Sequence, residues 1–204
     1  MRRREILGAV LLLPLESLAQ TCGVITPRQT EGPFFKTDSP LRTSLVEAGS
    51  KAPRLVVVGT VLSPQCKPVP NALLDFWHAD EQGEYDNRAF RYRGHQHADA
   101  QGRFRLETIV PAEYPGRARH IHVKVQAPGK RILTTQLYFS GDASNRRDGL
   151  YRSELEMKKG KGSEASFDFV VEPNSGSEPE FGFYVRERGI RALTPNYLLP
   201  SYQT

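Results

Sequence analysis

The amino-acid sequence predicts an all-β fold, a single β-sandwich domain with long loops and little helix. About seven short runs rich in β-branched and aromatic residues follow one another, and Gly, Pro and Asp residues separate them. Little of the chain shows the periodicity of an amphipathic helix. With 204 residues, the chain is long enough for one domain with a sizeable core.

The predicted strands start after a loop-like segment rich in Thr, Pro and Gly. The runs LVVVGTVL and LLDFWH lie on either side of the turn SPQCKPVPN, and RFRLETI follows the turn DAQG. The later runs are RHIHVKVQ, ILTTQLYF, SFDFVV and the weaker FGFYV. In chain order, we predict strands at residues 55–62, 73–78, 103–109, 119–126, 132–139, 166–171 and 181–185. One short helix is predicted near residues 150–156, and no glycine-rich phosphate loop or G-x-S-x-G nucleophile elbow is present in the sequence.

The first twenty residues have the composition of an export signal. Three arginines precede a short apolar run, and Leu18-Ala19-Gln20 supplies a small-residue cleavage site. The order RREIL is also similar to a twin-arginine signal, while an ordinary Sec signal stays open. We therefore expect a signal at residues 1–20, a β-sandwich domain at residues 21–204, and an exported protein, periplasmic or extracellular. No other apolar run is long enough for a membrane helix, so stable membrane insertion is not expected.

The charge of the chain disfavours nucleic acid as a partner. Loss of residues 1–20, which hold three arginines and two glutamates, would change the formal charge from +5 to +4. The remaining positive residues are scattered, without a basic helix that carries interleaved aromatics. A mildly basic domain of this kind favours anionic or phenolic small molecules. Whether the chain forms a homo-oligomer stays open.

The two cysteines, Cys22 and Cys66, both follow the predicted signal. In an exported chain such a pair predicts a disulfide, which would tie the mature N-terminus to the first predicted hairpin.

Two histidine pairs are candidate metal ligands. In RARHIHVKV, His120 and His122 lie two residues apart on a predicted strand, so both side chains point to the same face. The pair His95 and His97 lies just before the turn ADAQG, and we interpret it as a solvated strand end. A histidine pair on a strand is by itself a weak signal for a metal.

Two tyrosines strengthen the case for His120 and His122. Tyr114 lies in a Pro- and Gly-flanked loop that leads into their strand, and Tyr85 ends the turn that follows LLDFWH. Two imidazoles and two phenolates suit a hard trivalent iron, because phenolate is a hard anionic oxygen. Zinc more commonly takes three or four His or Cys ligands, and no such set is prominent in the sequence.

The motifs TEGPFF, WHADEQGEYDN, TIVPAEYPGRARHIHVKV and LTTQLYFSGD, taken in this order, resemble the intradiol ring-cleavage dioxygenases. The similarity covers residues 26–149, and the combination Tyr-Pro-x-Arg-x-x-His-x-His is highly specific. The best-known members act on catechol or protocatechuate. The resemblance implies a β-sandwich oxidoreductase with one non-haem Fe(III), which uses O2 to cleave a catecholic ring to a cis,cis-muconate-type product.

Carried over residue by residue, the resemblance implies that the iron ligands are Tyr85, Tyr114, His120 and His122. Tyr114 would correspond to the labile axial tyrosine, which takes a proton when the substrate binds. Arg117 matches an arginine that lines the pocket beside the metal and stabilises the electron-rich ring. Gln136 matches a glutamine near the bound substrate.

The chain departs from the better-known members in two respects. It is expected to lack the N-terminal helical segment through which catechol 1,2-dioxygenases dimerise, and it resembles a smaller secreted branch of single-domain enzymes. Gly116 also follows Tyr114-Pro115 where the protocatechuate enzyme has a bulky aromatic. A small residue there is expected to widen the pocket for bulkier catechols.

Two other functions stay open on the sequence. The chain could be a non-catalytic periplasmic sandwich that holds Cu(II) or Zn(II) on the His95/His97 and His120/His122 pairs. In that interpretation Tyr85 and Tyr114 are packing residues. A carbohydrate- or partner-binding sandwich without metal has only the fold in its favour.

Overall fold

The computed structural model describes residues 22–172, and nine strands form within that range. The strands are β1 (Arg54–Leu62), β2 (Leu73–Trp77), β3 (Arg93–His97), β4 (Arg103–Ile109), β5 (His120–Gln126), β6 (Ile132–Phe139), β7 (Glu156–Lys159), β8 (Glu164–Ser166) and β9 (Phe169–Val170). Between residues 22 and 172, helix is confined to two short 3₁₀ segments, Ala143–Arg147 and Ser153–Leu155. The predicted signal at residues 1–20, the strand at 181–185 and the tail after residue 195 lie outside the described residues.

The strands form two sheets joined by one short strand. The first sheet has the order β3-β2-β5-β6, and all of its pairs are antiparallel. In the second sheet, β1 pairs with β4 on one side and with β8 and β9 on the other. Strand β7 runs parallel to β6 and antiparallel to β8, so it connects the two sheets.

The core lies between the sheets, and period-two alternation decides which residues enter it. On β5, Ile121, Val123 and Val125 are fully buried and belong to the main apolar cluster. The second sheet contributes side chains of the same kind, among them Val57 and Leu106. The predicted all-β sandwich is therefore confirmed.

A covering segment, residues 26–45, lies across the outer face of the first sheet and shields that face from solvent. Its backbone bonds to β6 through Gln29 N and Thr134 O at 2.9 Å. It also bridges the free edges of the two sheets, because Arg42 N donates to His95 O and Leu45 N donates to Glu107 O. Polar side chains on this face of the sheet are consequently buried, which is the environment that the functional site requires.

Several predicted elements are correct to within one residue at each end. The strands predicted at 55–62, 73–78, 103–109, 119–126 and 132–139 correspond to β1, β2, β4, β5 and β6. The disulfide between Cys22 and Cys66 is confirmed, with Cα atoms 5.0 Å apart. Among residues 22–172, no helix has the length and apolar character needed to cross a membrane.

Other expectations were wrong, and each has a local physical reason. The strand predicted at 166–171 is split into β8 and β9, because the Asp168 side chain accepts from Thr60 N in place of a backbone pair. In place of the helix predicted at 150–156, the chain forms only the 3₁₀ turn Ser153–Leu155, and residues 156–159 form β7. The predicted first hairpin does not exist either, because β1 and β2 belong to different sheets.

Strand β3 was missed because RGHQH lacks the apolar alternation of a half-buried strand. The interpretation of His95 as solvated was wrong, since its side chain is buried under the covering segment. Its Nδ1 lies 3.2 Å from Ser39 Oγ, which donates to the buried Asp75 carboxylate at 2.8 Å. His97 is exposed, as expected.

Candidate metal centre

Three of the four predicted ligands converge on one point of the outer face. The Nε2 atoms of His120 and His122 lie 3.0 Å apart. The Tyr85 hydroxyl lies 3.2 Å from the first and 3.1 Å from the second. All three side chains are buried, so their polar atoms face each other and not bulk water. The structure therefore brings Tyr85, His120 and His122 together.

The protonation of the histidines suits metal binding. His120 Nδ1 donates to the Ala118 carbonyl at 2.6 Å, which leaves the Nε2 lone pair directed at the cluster. Burial lowers the pKa of His120 to about 4. Burial, followed by the positive potential of His120 and Arg117, lowers the pKa of His122 well below its usual value. Both rings are therefore neutral near pH 7, the form that binds a metal.

Tyr85 meets the histidines from the loop after β2. Its ring stacks on Phe34 of the covering segment, with centroids 4.4 Å apart and planes 13° from parallel. Burial raises the pKa of the Tyr85 phenol. A hydroxyl in this position becomes a phenolate only if a strong positive charge is bound beside it.

Tyr114 is near the cluster but not bonded to it. Its half-buried ring lies edge-on to Tyr85 at 5.7 Å and edge-on to Phe34 at 5.3 Å. Among the described residues, no side chain hydrogen-bonds the Tyr114 hydroxyl. Its loop is anchored where Arg117 N donates to Tyr114 O, at 2.8 Å. The structure thus brings the fourth predicted ligand to the edge of the site, held by ring contacts.

The ring of His122 is held by a stacked indole and by a close approach of the backbone. The indole of Trp77 stacks on it, with centroids 4.8 Å apart and planes 6° from parallel. Gly32 of the covering segment approaches from another side, where a Cβ atom would lie 3.5 Å from His122 Cε1. Gly32 has φ of 72°, a conformation that favours glycine. Trp77 is buried, and its indole restricts the orientation of the His122 ring.

Arg117 and Gln136 lie together next to the histidines. Gln136 is opposite His122 in the β5–β6 ladder and is fully buried. Arg117 donates through Nη2 to Gln136 Oε1 at 2.6 Å and to the Tyr138 hydroxyl at 3.1 Å. Its Nε lies 3.0 Å from both carboxylate oxygens of Asp148. The structure thus places Arg117 and Gln136, the two further residues that the resemblance assigned to the pocket, in direct contact.

Sequence reasoning missed Asp148, Tyr138 and Phe34. The only signal for Phe34 in the sequence is its place in the motif TEGPFF. The only signal for Tyr138 is its two-residue spacing from Gln136 on the predicted strand. Asp148 had no signal, because it follows a 3₁₀ segment in a polar loop 31 residues after Arg117.

The two histidine pairs do not form one site. His95 lies on β3 and His122 on β5, and β2 runs between these strands. Strands two apart in a sheet are separated by about 10 Å. The rings of His95 and His97 are themselves 6.4 Å apart and perpendicular. His95 is buried, whereas His97 is exposed. The two pairs, His95/His97 and His120/His122, are therefore not arranged to hold one Cu(II) or Zn(II) ion together.

The donor set fits an iron(III) ion. No group of three or more His, Cys, Asp or Glu side chains occurs among residues 22–172, so the usual zinc ligand sets are not found there. Two neutral imidazoles and a buried phenol instead point at each other, and a second phenol lies beside them. Two phenolates would offset most of the charge of a trivalent ion, which allows the centre to be buried.

Comparison with known proteins agrees with the geometry. A family model described as "Dioxygenase" matches residues 30–173. Catechol 1,2-dioxygenase 2 from Acinetobacter lwoffii is 32% identical over 169 aligned positions, which cover 66% of this chain and 62% of that protein. Hydroxyquinol 1,2-dioxygenase from Nocardioides simplex is 30% identical and covers 74% of this chain.

A solved structure is more similar. It is the dioxygenase domain of a dioxygenase and carbohydrate-binding protein fusion from the cellulolytic bacterium Streptomyces sp. SirexAA-E, 52% identical with a TM-score of 0.71. The match covers 73% of this chain and 99% of that one. By contrast, the chain spans 62% and 61% of the two curated relatives named above. The matched family model, the relatives and the shared sandwich together show that this chain belongs to the intradiol ring-cleavage dioxygenase family.

Proposed function

We propose that this chain is a non-haem Fe(III)-dependent intradiol dioxygenase that uses O2 to cleave a catecholic ring between its two hydroxylated carbons. The product would be a cis,cis-muconate-type diacid. The observation that carries the proposal is the convergence of His120 Nε2, His122 Nε2 and the Tyr85 hydroxyl within 3.2 Å of one another. Two buried neutral imidazoles and a buried phenol that face one another supply three donor atoms for a shared cation.

The four ligands of the proposal are Tyr85, Tyr114, His120 and His122. Bound Fe(III) would supply Lewis acidity, which favours binding of a catechol as its dianion. Tyr85 is clamped between Phe34 and the histidines, so it suits a permanent ligand. The Tyr114 hydroxyl has no hydrogen-bond partner within the described part of the chain, and its ring lies at the edge of the site. It therefore suits a ligand that leaves, with its phenolate oxygen taking one of the two catechol protons.

Arg117 and Gln136 are placed to act on the substrate itself. The Arg117 guanidinium is held by a buried carboxylate and directed at Gln136, so its charge needs no reorganisation during the reaction. A fixed positive charge there would stabilise the ring as it becomes electron-rich. Gln136 is held through its own amide, which donates to Thr30 O at 2.9 Å, and so would orient the ring.

We infer that the substrate is a catechol and that the protein restricts its ring substituents little on the side of Gly116. The relatives named above act on catechol and hydroxyquinol, and both are small 1,2-dihydroxybenzenes. At Gly116 an added Cβ atom would meet nothing within 4 Å, so the neighbourhood of Tyr114 has room for a ring substituent. Kinetics with catechol, hydroxyquinol, protocatechuate and a lignin-derived catechol would rank these candidates.

We further propose that the protein is exported through a signal at residues 1–20. The support is the arginine-led apolar segment and the disulfide between Cys22 and Cys66, a bond typical of oxidising compartments. Mass spectrometry of protein from the periplasm or medium tests this. Cleavage near residue 20 with an intact disulfide is expected, and an uncleaved cytoplasmic chain would contradict it.

A visible absorption spectrum before and after anaerobic addition of catechol tests the main proposal. A broad tyrosinate-to-Fe(III) band that shifts to longer wavelength is expected, since catechol would replace one oxygen ligand. Admission of O2 should then consume catechol and oxygen in equal amounts. A protein that stays colourless after reconstitution with Fe(III) would contradict the proposal and favour a redox-inert metal-binding sandwich.

A further inference from the structure

We propose that Asp148 is a positioning residue of the active site, which sets the orientation of Arg117 and, through the backbone, of His120. The inference rests on the proposed function and adds to it a residue that no sequence motif marked. Asp148 lies at the end of the 3₁₀ segment Ala143–Arg147, outside the strands that carry the ligands.

The first observation is the way in which Asp148 holds the guanidinium. Both of its carboxylate oxygens lie 3.0 Å from Arg117 Nε. Its side chain is 1% exposed, whereas that of Arg117 is 19% exposed. The carboxylate is thus the fixed member of the pair. A charge-assisted bond of this kind, shielded from water, is stronger than an ordinary surface ion pair.

The second observation is where the rest of Arg117 points as a result. With Nε tied to Asp148, the Nη2 atom faces the first sheet and donates to Gln136 Oε1 and the Tyr138 hydroxyl. Both partners are fully buried on the same face as the histidines. Without the carboxylate, the guanidinium could turn outward to solvent, because its Nη2 contacts alone do not fix the Nε side.

The third observation connects Asp148 to a ligand. Its Oδ2 accepts from Ala118 N at 2.9 Å, and Ala118 O accepts from His120 Nδ1 at 2.6 Å. Its Oδ1 also accepts from Leu150 N at 2.8 Å. One carboxylate therefore holds the backbone N–H of Ala118, the residue whose carbonyl sets the tautomer of His120. An acceptor that orients a ligating imidazole in this way normally affects metal affinity and activity.

The chain offers a matched control at the other end of the same 3₁₀ segment. Asp142 caps its start, accepts from Ser144 N at 2.9 Å and lies 3.6 Å from Arg119 Nε. Both Asp–Arg pairs involve the same short stretch before β5, but the Arg119 side chain is exposed and its ion pair is with Asp142. Asp142→Asn therefore tests the loss of a helix-end carboxylate without disturbing the site.

The experiment is a double-mutant cycle on the iron-loaded protein with catechol, using Asp148→Asn, Arg117→Ala and the double variant. We expect Asp148→Asn to lower kcat about 100-fold with a smaller change in KM, since a misdirected charge impairs the reaction more than binding. Asp142→Asn should stay within about twofold of wild type. In the Arg117→Ala background, Asp148→Asn should have a clearly smaller further effect, because its action through Arg117 is gone and only the backbone route to His120 remains.

The same cycle in metal-free protein gives a readout that does not depend on activity. Urea unfolding should show that the Arg117→Ala and Asp148→Asn effects are coupled, while Arg117→Ala and Asp142→Asn are additive. Equal factors of kcat loss from Asp148→Asn in both backgrounds, or additive unfolding energies, would overturn the positioning role. An active wild type with an equally active Asp148→Asn would do the same. A wild type that cleaves no catechol would contradict the proposed function itself.

Discussion

The indole of Trp77 lies face to face with the imidazole of His122, 4.8 Å away and 6° from parallel. Adjacent strands produce this stack, because Trp77 on β2 is directly opposite His122 on β5 in the antiparallel register. A large rigid ring thus restricts the rotation of the His122 imidazole, whose Nε2 atom faces Tyr85 and His120. It also places the single tryptophan of the chain beside the proposed metal.

Metal binding should therefore be visible in the fluorescence of Trp77. Addition of Fe(III) to metal-free protein should quench most of the emission, because an open-shell ion would lie one ring away from the indole. Zn(II), a closed-shell ion, should quench little. His122→Ala should abolish the Fe(III) effect at stoichiometric metal. Quenching that persists in His122→Ala would place the metal elsewhere.

Replacement of Tyr85 by Phe separates the enzyme from a redox-inert metal protein. The ring contact with Phe34 would survive, but the oxygen that faces the histidines would be lost. We expect iron affinity to fall at least about 100-fold, more than a lost outer partner of a ligand would cost. The visible band should be lost as well. Tyr92→Phe, which removes a hydroxyl bonded to Glu81, is the control and should keep the colour. Unchanged metal binding in Tyr85→Phe would favour the packing interpretation of this tyrosine.

Asp75 should make stability depend on pH in an unusual direction. Burial raises the pKa of its carboxyl to about 7, against the opposing effects of the Ser39 hydrogen bond and the nearby Lys124 and Arg93 charges. The folded state therefore holds this proton more tightly than the unfolded state does. The stability that Asp75 contributes is full below pH 3.8 and is lost as the pH rises to about 7.

Asp75→Asn tests this by urea unfolding of metal-free protein at pH 5 and pH 8. Between these values the wild type should lose about 2–3 kcal/mol relative to the variant, because only the wild type must bury an ionised carboxylate. The Asn side chain keeps an acceptor for Ser39, so the comparison isolates the charge. An equal difference at both pH values would show that the carboxyl of Asp75 ionises normally.

The disulfide should stabilise the domain through the loop that it closes. Cys22 and Cys66 are 44 residues apart, so the chain-entropy model gives about 4 kcal/mol for the bond. The double variant Cys22→Ser/Cys66→Ser should lose close to that amount in urea unfolding. Dithiothreitol should destabilise the wild type and leave the double variant unaffected. Equal sensitivity of both proteins to dithiothreitol would show that the bond is not the source of the effect.

Gly116 should influence which catechols are accepted. Its φ of 79° lies in the region that favours glycine, and its side-chain position is open. Gly116→Phe should lower kcat/KM for bulky catechols relative to catechol, because the new ring would occupy the space beside Tyr114. Gly129→Phe, at φ of 68° in the turn before β6, controls for a backbone strain of about 1–2 kcal/mol. If the ratio of kcat/KM for bulky catechols to kcat/KM for catechol is unchanged in Gly116→Phe, then Gly116 does not determine specificity.

Much of the fold was predictable because strand signals are local. The alternation of apolar and polar residues in β5 and β6 gave their bounds to within one residue, and it put His120, His122 and Gln136 on one face. The elements that were missed, β3 and β7, carry charged and polar side chains without alternation. The covering segment and the sheet edges decide their pairing, and these lie far away in sequence.

The sequence by itself determined the β-sandwich, the disulfide and the identity of the residues that meet at the site, since each depends on local pattern or residue type. The tertiary structure alone decided that His95 is buried, that Trp77 stacks on the His122 ring and that Asp148 holds Arg117. These depend on the register of paired strands and on which loops and segments pack against the first sheet. Contacts of that kind join residues some 30 or more apart, such as the 31 between Arg117 and Asp148, and no local pattern encodes them.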